Sequence, residues 1–600
     1  MSTYQAPLAE MQFVLTELAG LEQVSELPGF EEATPDVAMA ILEEASKFAT
    51  EVLSPLNSIG DREGSKRQED GTVRTPPGFK DAYRRFCDNG WNGLTKNPEY
   101  GGQGLPSLLG TAVEEMWHAS NLAFNLCAML TQGAIESIEL AGSDALKRKF
   151  LPNMVAGTWT GTMNLTEPQA GSDLAAVRTK AVPQGDGTYR IFGQKIFITW
   201  GDQDYTDNII HLVLARTPAA PEGVKGISLF VVPKVLVNDD GSLGARNDVH
   251  TTSLEHKLGI HASPTAVLAY GEKDGALGYL VGEENRGLEY MFIMMNLARF
   301  SVGLEGVGIS ERAYQRAVAY ARERVQGKPV GTEKGAKANP IIDHPDIRRM
   351  LMTMRANVEA ARAVAYVTAA AMDNAQRHPD AEARKRHQAF VDFMIPIVKG
   401  WSTEMAQEIA SLGIQVHGGM GFIEETGAAQ QYRDARITTI YEGTTGIQAN
   451  DLIGRKTARD GGAMARALAS EIEKVAVELA RHTDANLKAI GAALKDGVAA
   501  VRAAVDWMVP AYGSNPRAAH AGAVPYLELW GLVVGGWQMG RAALIAAKHL
   551  HDGTGDARFL SAKIHTARFY ADCLMPQAVG LARTITEGGD SVLAIAAEQF

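Results

Sequence analysis

TYRIFGQKIFIT, residues 188–199, decides the architecture. It is a run of β-branched and aromatic residues closed off by turn formers, a composition that suits a pleated, half-buried strand. Similar runs follow at NIIHLVLAR (208–216), GISLFVVPKV (226–235) and PTAVLAY (264–270). Residues 158–285 therefore predict a domain of antiparallel strands. The texture on either side is different. VAMAILEEASKFATEVL, FKDAYRRFCDNGW and LLGTAVEEMWHASNLAFNLCAML carry helical periodicity upstream, with Pro55, Pro76-Pro77 and Gly101-Gly102 marking the joints. This predicts a helical domain over 36–157, preceded by an amphipathic lead segment over 1–35 that packs on the body of the protein.

Helical periodicity returns near Gly287 and continues through MFIMMNLARFSVGLEGVGISERAYQRAVAYARERV to the neighbourhood of Arg455. Long helices with short connections suggest a bundle over 286–456, interrupted by the polar loop QGKPVGTEKGAKANP at 326–340. A further helical region is expected over 457–600, with two helices after Pro516. The expected fold class is mainly α with an inserted β-domain.

Six hundred residues exceed a single core, and 46% hydrophobic with 21% charged residues is the balance of an ordinary soluble globular protein. A net charge of -12 argues against nucleic acid or an anionic membrane as the main partner. Cys87, Cys127 and Cys573 are too few and too scattered for a disulfide framework or a CxxC metal site, and they fit a reducing compartment. The N-terminus lacks a basic signal-peptide region, and no uninterrupted apolar run spans a bilayer, so a cytoplasmic protein is expected. Complete GxGxxG, P-loop, HExxH and GxSxG motifs are all missing from the sequence. No metal site is expected.

Four polar clusters remain. In IYEGTT, Glu442 sits between an aromatic ring (Tyr441) and Gly443-Thr444. Burial beside such a ring raises a carboxylate's pKa and suits it to act as a general base; a solvated helix-end glutamate is the alternative. LTEPQAGSDLAAVRTK (165–180) brings Thr166 and Ser172 into a tight loop able to cradle a ring carbonyl or a phosphate, or simply to form a Ser or Asx turn. In KIFIT (195–199), alternation points Phe197 and Thr199 to one face, as an aromatic wall beside a hydroxyl or as ordinary strand core. QVHGGMGF (415–422) carries paired glycines that permit close approach to a phosphate or form a helix C-cap.

Taken together and in this order, L-T-E-P-x-A-G-S-D, F-I-T, K-L-G-I-x-A-S-P-T (257–265), A-R-E-R (321–324), Q-x-x-G-G-x-G and Y-R-D-A-R-I…Y-E-G-T resemble the acyl-CoA dehydrogenase flavoproteins over about residues 35–456. The lead segment and the C-terminal extension resemble a bacterial branch of similar length that acts on 3-methylmercaptopropionyl-CoA or on straight-chain acyl-CoA. The resemblance implies a helical domain, a β-domain and a four-helix domain, with an added C-terminal one. It also implies FAD-dependent conversion of an acyl-CoA thioester to a trans-2-enoyl-CoA, with Glu442 as the α-proton base.

Thr166, Ser172, Phe197, Thr199, Arg324, Gln415, Gly418, Gly419 and Thr444 match FAD-contacting positions. Ser172, Arg299 and Gly443 match acyl-CoA contacts. Electron-transfer flavoprotein is the implied acceptor and a homodimer the minimal assembly, because the family completes its flavin site across two subunits. An oxidase using oxygen and a flavin-retaining nucleic-acid-binding relative are the competing readings, and the mixed charge of the C-terminal region disfavours the second. Three positions depart from the family pattern. Asn296 stands where an acidic residue is common, Arg324-Val325-Gln326-Gly327 lacks an aromatic residue, and His261 replaces a frequent arginine.

Overall fold

Two long helices carry the boundaries between the structure's two compact units. One unit comprises the chain up to Ser46, Pro106–Ala119 and Arg299–Phe600, and the other comprises Lys47–Leu105 and Ser120–Ala298. The boundaries fall inside α1 (Ser107–Ala141) and α2 (Gly287–Glu323). In α1 the helix breaks at Asn121, where φ is -159°. The Asn121 side chain accepts from the Phe124 N–H at 3.1 Å, so it caps a new helical start. The computed structural model describes residues 4–331, 333, 335 and 337–600; Met1–Thr3 of the lead segment and Thr332, Lys334 and Ala336 of the expected polar loop lie outside the described residues.

The β-bearing unit holds an eight-stranded sheet. In chain order its strands are β1 (Trp159–Asn164), β2 (Lys180–Pro183), β3 (Thr188–Thr199), β4 (Asn208–Ala215), β5 (Ser228–Pro233), β6 (Val249–Leu254), β7 (Thr265–Tyr270) and β8 (Ala276–Val281). The order across the sheet is β6-β7-β3-β8-β5-β4-β1, with β2 beside β3. All pairs are antiparallel except β1 with β4, a parallel pair that the expected antiparallel domain did not include. Strands β4 and β5 are buried along their whole length, as continuous apolar runs such as NIIHLVLA require. On β1, a Cβ at Gly161 would lie 2.5 Å from Ala134 Cβ, so glycine is what lets the second half of α1 seat against the sheet.

The other unit is helical. Its long helices include α3 (Pro345–Arg377), α4 (Ala381–His417) and, beyond the short α5 (Thr445–Ile453), α6 (Ala463–Arg481), α7 (Ala485–Ser514), α8 (Ala523–Asp552) and α9 (Ala557–Phe569). More than two helices follow Pro516, because Gly522, Gly553 and Pro576 each interrupt what reads as continuous apolar periodicity. Gly303 and Gly306 of α2 lie directly on α4: a Cβ there would come within 2.6 Å of the Val398 carbonyl oxygen and 2.5 Å of the Ser402 carbonyl oxygen. Close backbone approach of this kind buries both helices deeply. Among the described residues α2 is one helix long and apolar enough to cross a membrane, a property not singled out from sequence; 72% of that apolar stretch is buried inside the protein, which makes it a core helix. The C-terminal helices share this unit's interior, Gly531 of α8 meeting the Trp401 ring of α4.

Candidate active site

The Glu442 turn is built from backbone strain held by specific donors. Glu442 has φ 55° and Gly443 has φ 88°, so a non-glycine residue occupies the left-handed region beside a glycine that suits it. Such a conformation persists only where the surroundings over-determine it. Gln448 Nε2 donates to the Glu442 carbonyl at 3.1 Å and to the Gly443 carbonyl at 3.3 Å. Lys399 Nζ donates to the Gly443 carbonyl at 2.8 Å. Thr444 then caps α5, its hydroxyl accepting from the Ile447 N–H at 3.3 Å. Among the described residues the Glu442 N–H meets no acceptor of its own.

The charges around this turn decide the state of its carboxyl. Burial raises Glu442 to about 7, against the pull of Arg299 and Lys399. Arg299 is buried, with Nη1 3.8 Å from Asp451 Oδ2. The structure thus places this expected acyl-CoA contact among the charges facing Glu442. Burial takes Lys399 down to about 8, although Glu442, Glu305 and Glu404 favour its charge. Tyr441, expected as an apolar neighbour, donates its hydroxyl to Glu305. Burial lifts Glu305 to about 7.

Glu305 and Lys399 were not singled out from sequence. The available signal for each was a lone charged residue on a helix face otherwise made of core positions: Leu304 and Val307 around Glu305, and Val398 and Trp401 around Lys399.

In the β-bearing unit the structure brings two of the sequence clusters together. The Ile196 N–H donates to the Thr166 carbonyl at 2.9 Å, tying the T-E-P loop to β3. Lys195 Nζ anchors the same loop, 3.0 Å from the Leu165 carbonyl and 2.8 Å from Glu167 Oε1. Burial opposes charge on Glu167, but Lys195, the Thr179 hydroxyl and the Arg178 N–H prevail and hold the carboxyl at about 2. The simple alternation expected in KIFIT is broken. The β3–β7 register slips between Ala266 and Leu268, and the buried residues Lys195 and Ile198 are three apart. Phe197 sits in this bulge with φ 58° and is 58% exposed. A strained, exposed aromatic side chain fits contact with a planar ligand far better than strand core. Ser172 is exposed in the loop, and Thr199 is half-buried at the end of β3.

Arg324, Gln415, Gly418 and Gly419 are all exposed. Tyr320 of α2 stacks on His417 of α4 with centroids 4.4 Å apart, which sets the C-terminal ends of these two helices side by side. A Cβ at Gly418 or Gly419 would meet nothing within 4 Å. This open backbone surface suits close approach of an extended ligand such as a dinucleotide. His261 is clamped: Nδ1 meets the Asp61 carboxylate at 2.9 Å, and Nε2 meets the Lys257 carbonyl at 2.9 Å. The Asp61 bond raises His261 to about 9, so the imidazolium supplies the charge expected of an arginine. Among the described residues there is no group of acidic, His and Cys side chains able to hold a metal ion.

Four family models match the chain in succession. They are the acyl-CoA dehydrogenase N-terminal domain over 36–158, its middle domain over 162–271, its C-terminal domain over 285–457 and an acetyl-CoA dehydrogenase C-terminal-like region over 468–596. The chain is 51% identical to 3-methylmercaptopropionyl-CoA dehydrogenase of Ruegeria pomeroyi, over 98% of this chain and 99% of that one. It is 36% identical to a butyryl-CoA dehydrogenase of Syntrophomonas wolfei, over 94% and 93%. Among solved structures, an acyl-CoA dehydrogenase complexed with FAD from Bacillus anthracis shares the fold, with a TM-score of 0.73 at 22% identity over 97% of this chain and 93% of that one. The chain belongs to the acyl-CoA dehydrogenase family and is an acyl-CoA dehydrogenase.

Proposed function

We propose that this acyl-CoA dehydrogenase converts 3-methylmercaptopropionyl-CoA to its trans-2-enoyl thioester, with Glu442 as the base and FAD as the hydride acceptor. The observation that carries the chemistry is the Glu442 turn, where burial raises a strained carboxyl to about 7 against the pull of two facing cations. A base with its pKa near the working pH combines adequate ionisation with driving force for proton transfer. In its ionised form Glu442 takes the α-proton. Its own backbone N–H, which lacks an acceptor among the described residues, is available to the thioester oxygen as enolate charge develops there. Bound FAD supplies the two-electron chemistry by accepting the hydride from the β-carbon.

The residues present fit that cofactor. Exposed, strained Phe197 suits a planar ring, and the open Gly418-Gly419 backbone and the exposed Arg324 suit a diphosphate. Thr166, Ser172, Phe197 and Thr199 would hold the flavin, Thr444 would add a further contact, and Arg324, Gln415, Gly418 and Gly419 would hold the diphosphate and adenosine part. Ser172, Arg299 and Gly443 would serve the acyl-CoA. The substrate assignment rests on the full-length relative of Ruegeria pomeroyi. Electron-transfer flavoprotein as acceptor, a homodimer and a cytoplasmic location complete the proposal.

Glu442→Gln tests the base assignment. The variant is expected to retain FAD while substrate-driven bleaching of the flavin slows by roughly 100-fold or more. Near-normal turnover would remove Glu442 from the role. Comparing kcat/KM for 3-methylmercaptopropionyl-CoA and butyryl-CoA tests the substrate, and a preference for butyryl-CoA overturns the assignment. Rapid reoxidation of substrate-reduced enzyme by air would identify an oxidase.

A further inference from the structure

Lys399 lies in the middle of α4, 0% exposed, and its ammonium reaches across to the turn that presents Glu442. Its bond to the Gly443 carbonyl joins residues 44 positions apart at 2.8 Å. A buried lysine costs free energy unless its charge and its donors are used. One donor goes to the carbonyl directly after the base residue. Glu442, Glu305 and Glu404 all favour the charge, while Arg299 opposes it. Lys399 forms no ion pair within 4.0 Å of Glu442 among the described residues, so it acts on that carboxylate through space and through the backbone.

We propose that Lys399 is the positioning residue for Glu442: its hydrogen bond to the Gly443 carbonyl locks the left-handed turn, and its positive charge keeps the base ionised at working pH. The proposal rests on Glu442 being the base and extends that reading to a residue outside the turn. Two features support it. The strained pair Glu442–Gly443 has only two side-chain donors on its carbonyls among the described residues, Gln448 and Lys399, and only Lys399 is charged. Lys399 is also the shared counter-charge of Glu442 and Glu305, and both of those carboxyls are raised by burial.

The groups that set the titration are therefore known. Glu442 faces Arg299 and Lys399. Lys399 faces Glu442, Glu305, Glu404 and Arg299. Glu305 faces His118, Tyr441, Glu114 and Lys399. Removing the Lys399 charge leaves only Arg299 to oppose desolvation of the base. The pKa of Glu442 then rises, and the fraction of enzyme with an ionised base at neutral pH falls.

The test is the pH dependence of kcat/KM and of the flavin-bleaching half-reaction, measured on holoenzyme carrying Lys399→Met, Lys399→Gln or Lys399→Arg. In Lys399→Met the acid limb is expected to move to higher pH by about one unit, with the bleaching rate at its plateau down about tenfold. Lys399→Gln keeps a donor without the charge, so it should shift the limb while losing less of the plateau rate. Lys399→Arg should return the limb toward its wild-type position. If Lys399→Met does not fold, Lys399→Gln decides: a shifted limb supports the proposal and an unmoved limb overturns it. Glu442→Gln measured alongside separates the two levels. Turnover in that variant would overturn the base assignment, whereas an inactive Glu442→Gln beside Lys399 variants with wild-type limbs overturns only the role of Lys399.

Discussion

Glu442 is expensive for the fold, and the direction of that cost can be measured. Its folded pKa of about 7 lies above the ordinary carboxylate value of 4.5. The native state therefore binds more protons than the unfolded chain between those limits, and stability falls as pH rises from about 4.5 to about 7. Glutamine mimics the protonated form at every pH. Glu442→Gln should accordingly match the wild type near pH 4.5 and exceed it by about 1–3 kcal/mol above pH 7, read by urea denaturation at the two pH values. Gly443 carries a second constraint. A Cβ there would lie 2.9 Å from Gln448 Nε2, at a φ of 88°. Gly443→Ala should cost about 1–3 kcal/mol and displace Glu442, seen as a lower thermal midpoint together with slower flavin bleaching.

At the scale of elements, the bulge in β3 and the T-E-P loop behave as one device. Lys195 is fully buried, and its charge is answered by Glu167. Lys195→Met strands that carboxylate and should cost about 3–5 kcal/mol. Because the pair anchors the loop bearing Thr166, the variant should also purify with less flavin per protein, which absorbance reports. The segment around His261 responds to pH in a predictable way. His261 titrates at about 9 in the folded protein, above the ordinary 6.5. Its stabilising contribution is thus fully present below about pH 6.5 and is lost as pH rises through about 9. His261→Gln should lower the thermal midpoint at pH 6 by more than it does above pH 9.

Across the whole chain, one buried lysine joins segments far apart in sequence. Lys563 of α9 is 1% exposed and donates to Glu10 Oε1 and Glu359 Oε2, each at 2.7 Å. The lead segment, helix α3 and the C-terminal region are therefore fastened by one ammonium. Burial raises Glu10, while Lys563 and Arg355 hold Glu359 down. Breaking such a network from one side leaves buried charge behind, so Lys563→Met should cost about 3–5 kcal/mol in urea denaturation. Limited proteolysis should then cut the first thirty or so residues sooner than in the wild type. The C-terminal region consequently belongs to the stability of the helical unit, whatever further role it has.

The order of textures along the chain was legible in the sequence. Helical, β and helical stretches differ in period and in β-branched content, and those signals are local. A candidate base was legible too, because IYEGTT, LTEPQAGSD and QVHGG fall in one order along the chain. What stayed hidden depends on distance in space. Nothing near Lys399 or Glu305 in sequence reports that they meet the Glu442 turn, and the KIFIT alternation could not reveal a bulge that exists only in its pairing with β7. By itself, the sequence determined the family and the chemistry the chain carries, and it named the candidate residues for that chemistry. The tertiary structure decided the protonation of Glu442, since burial and the facing charges of Arg299 and Lys399 arise only when separate helices pack together.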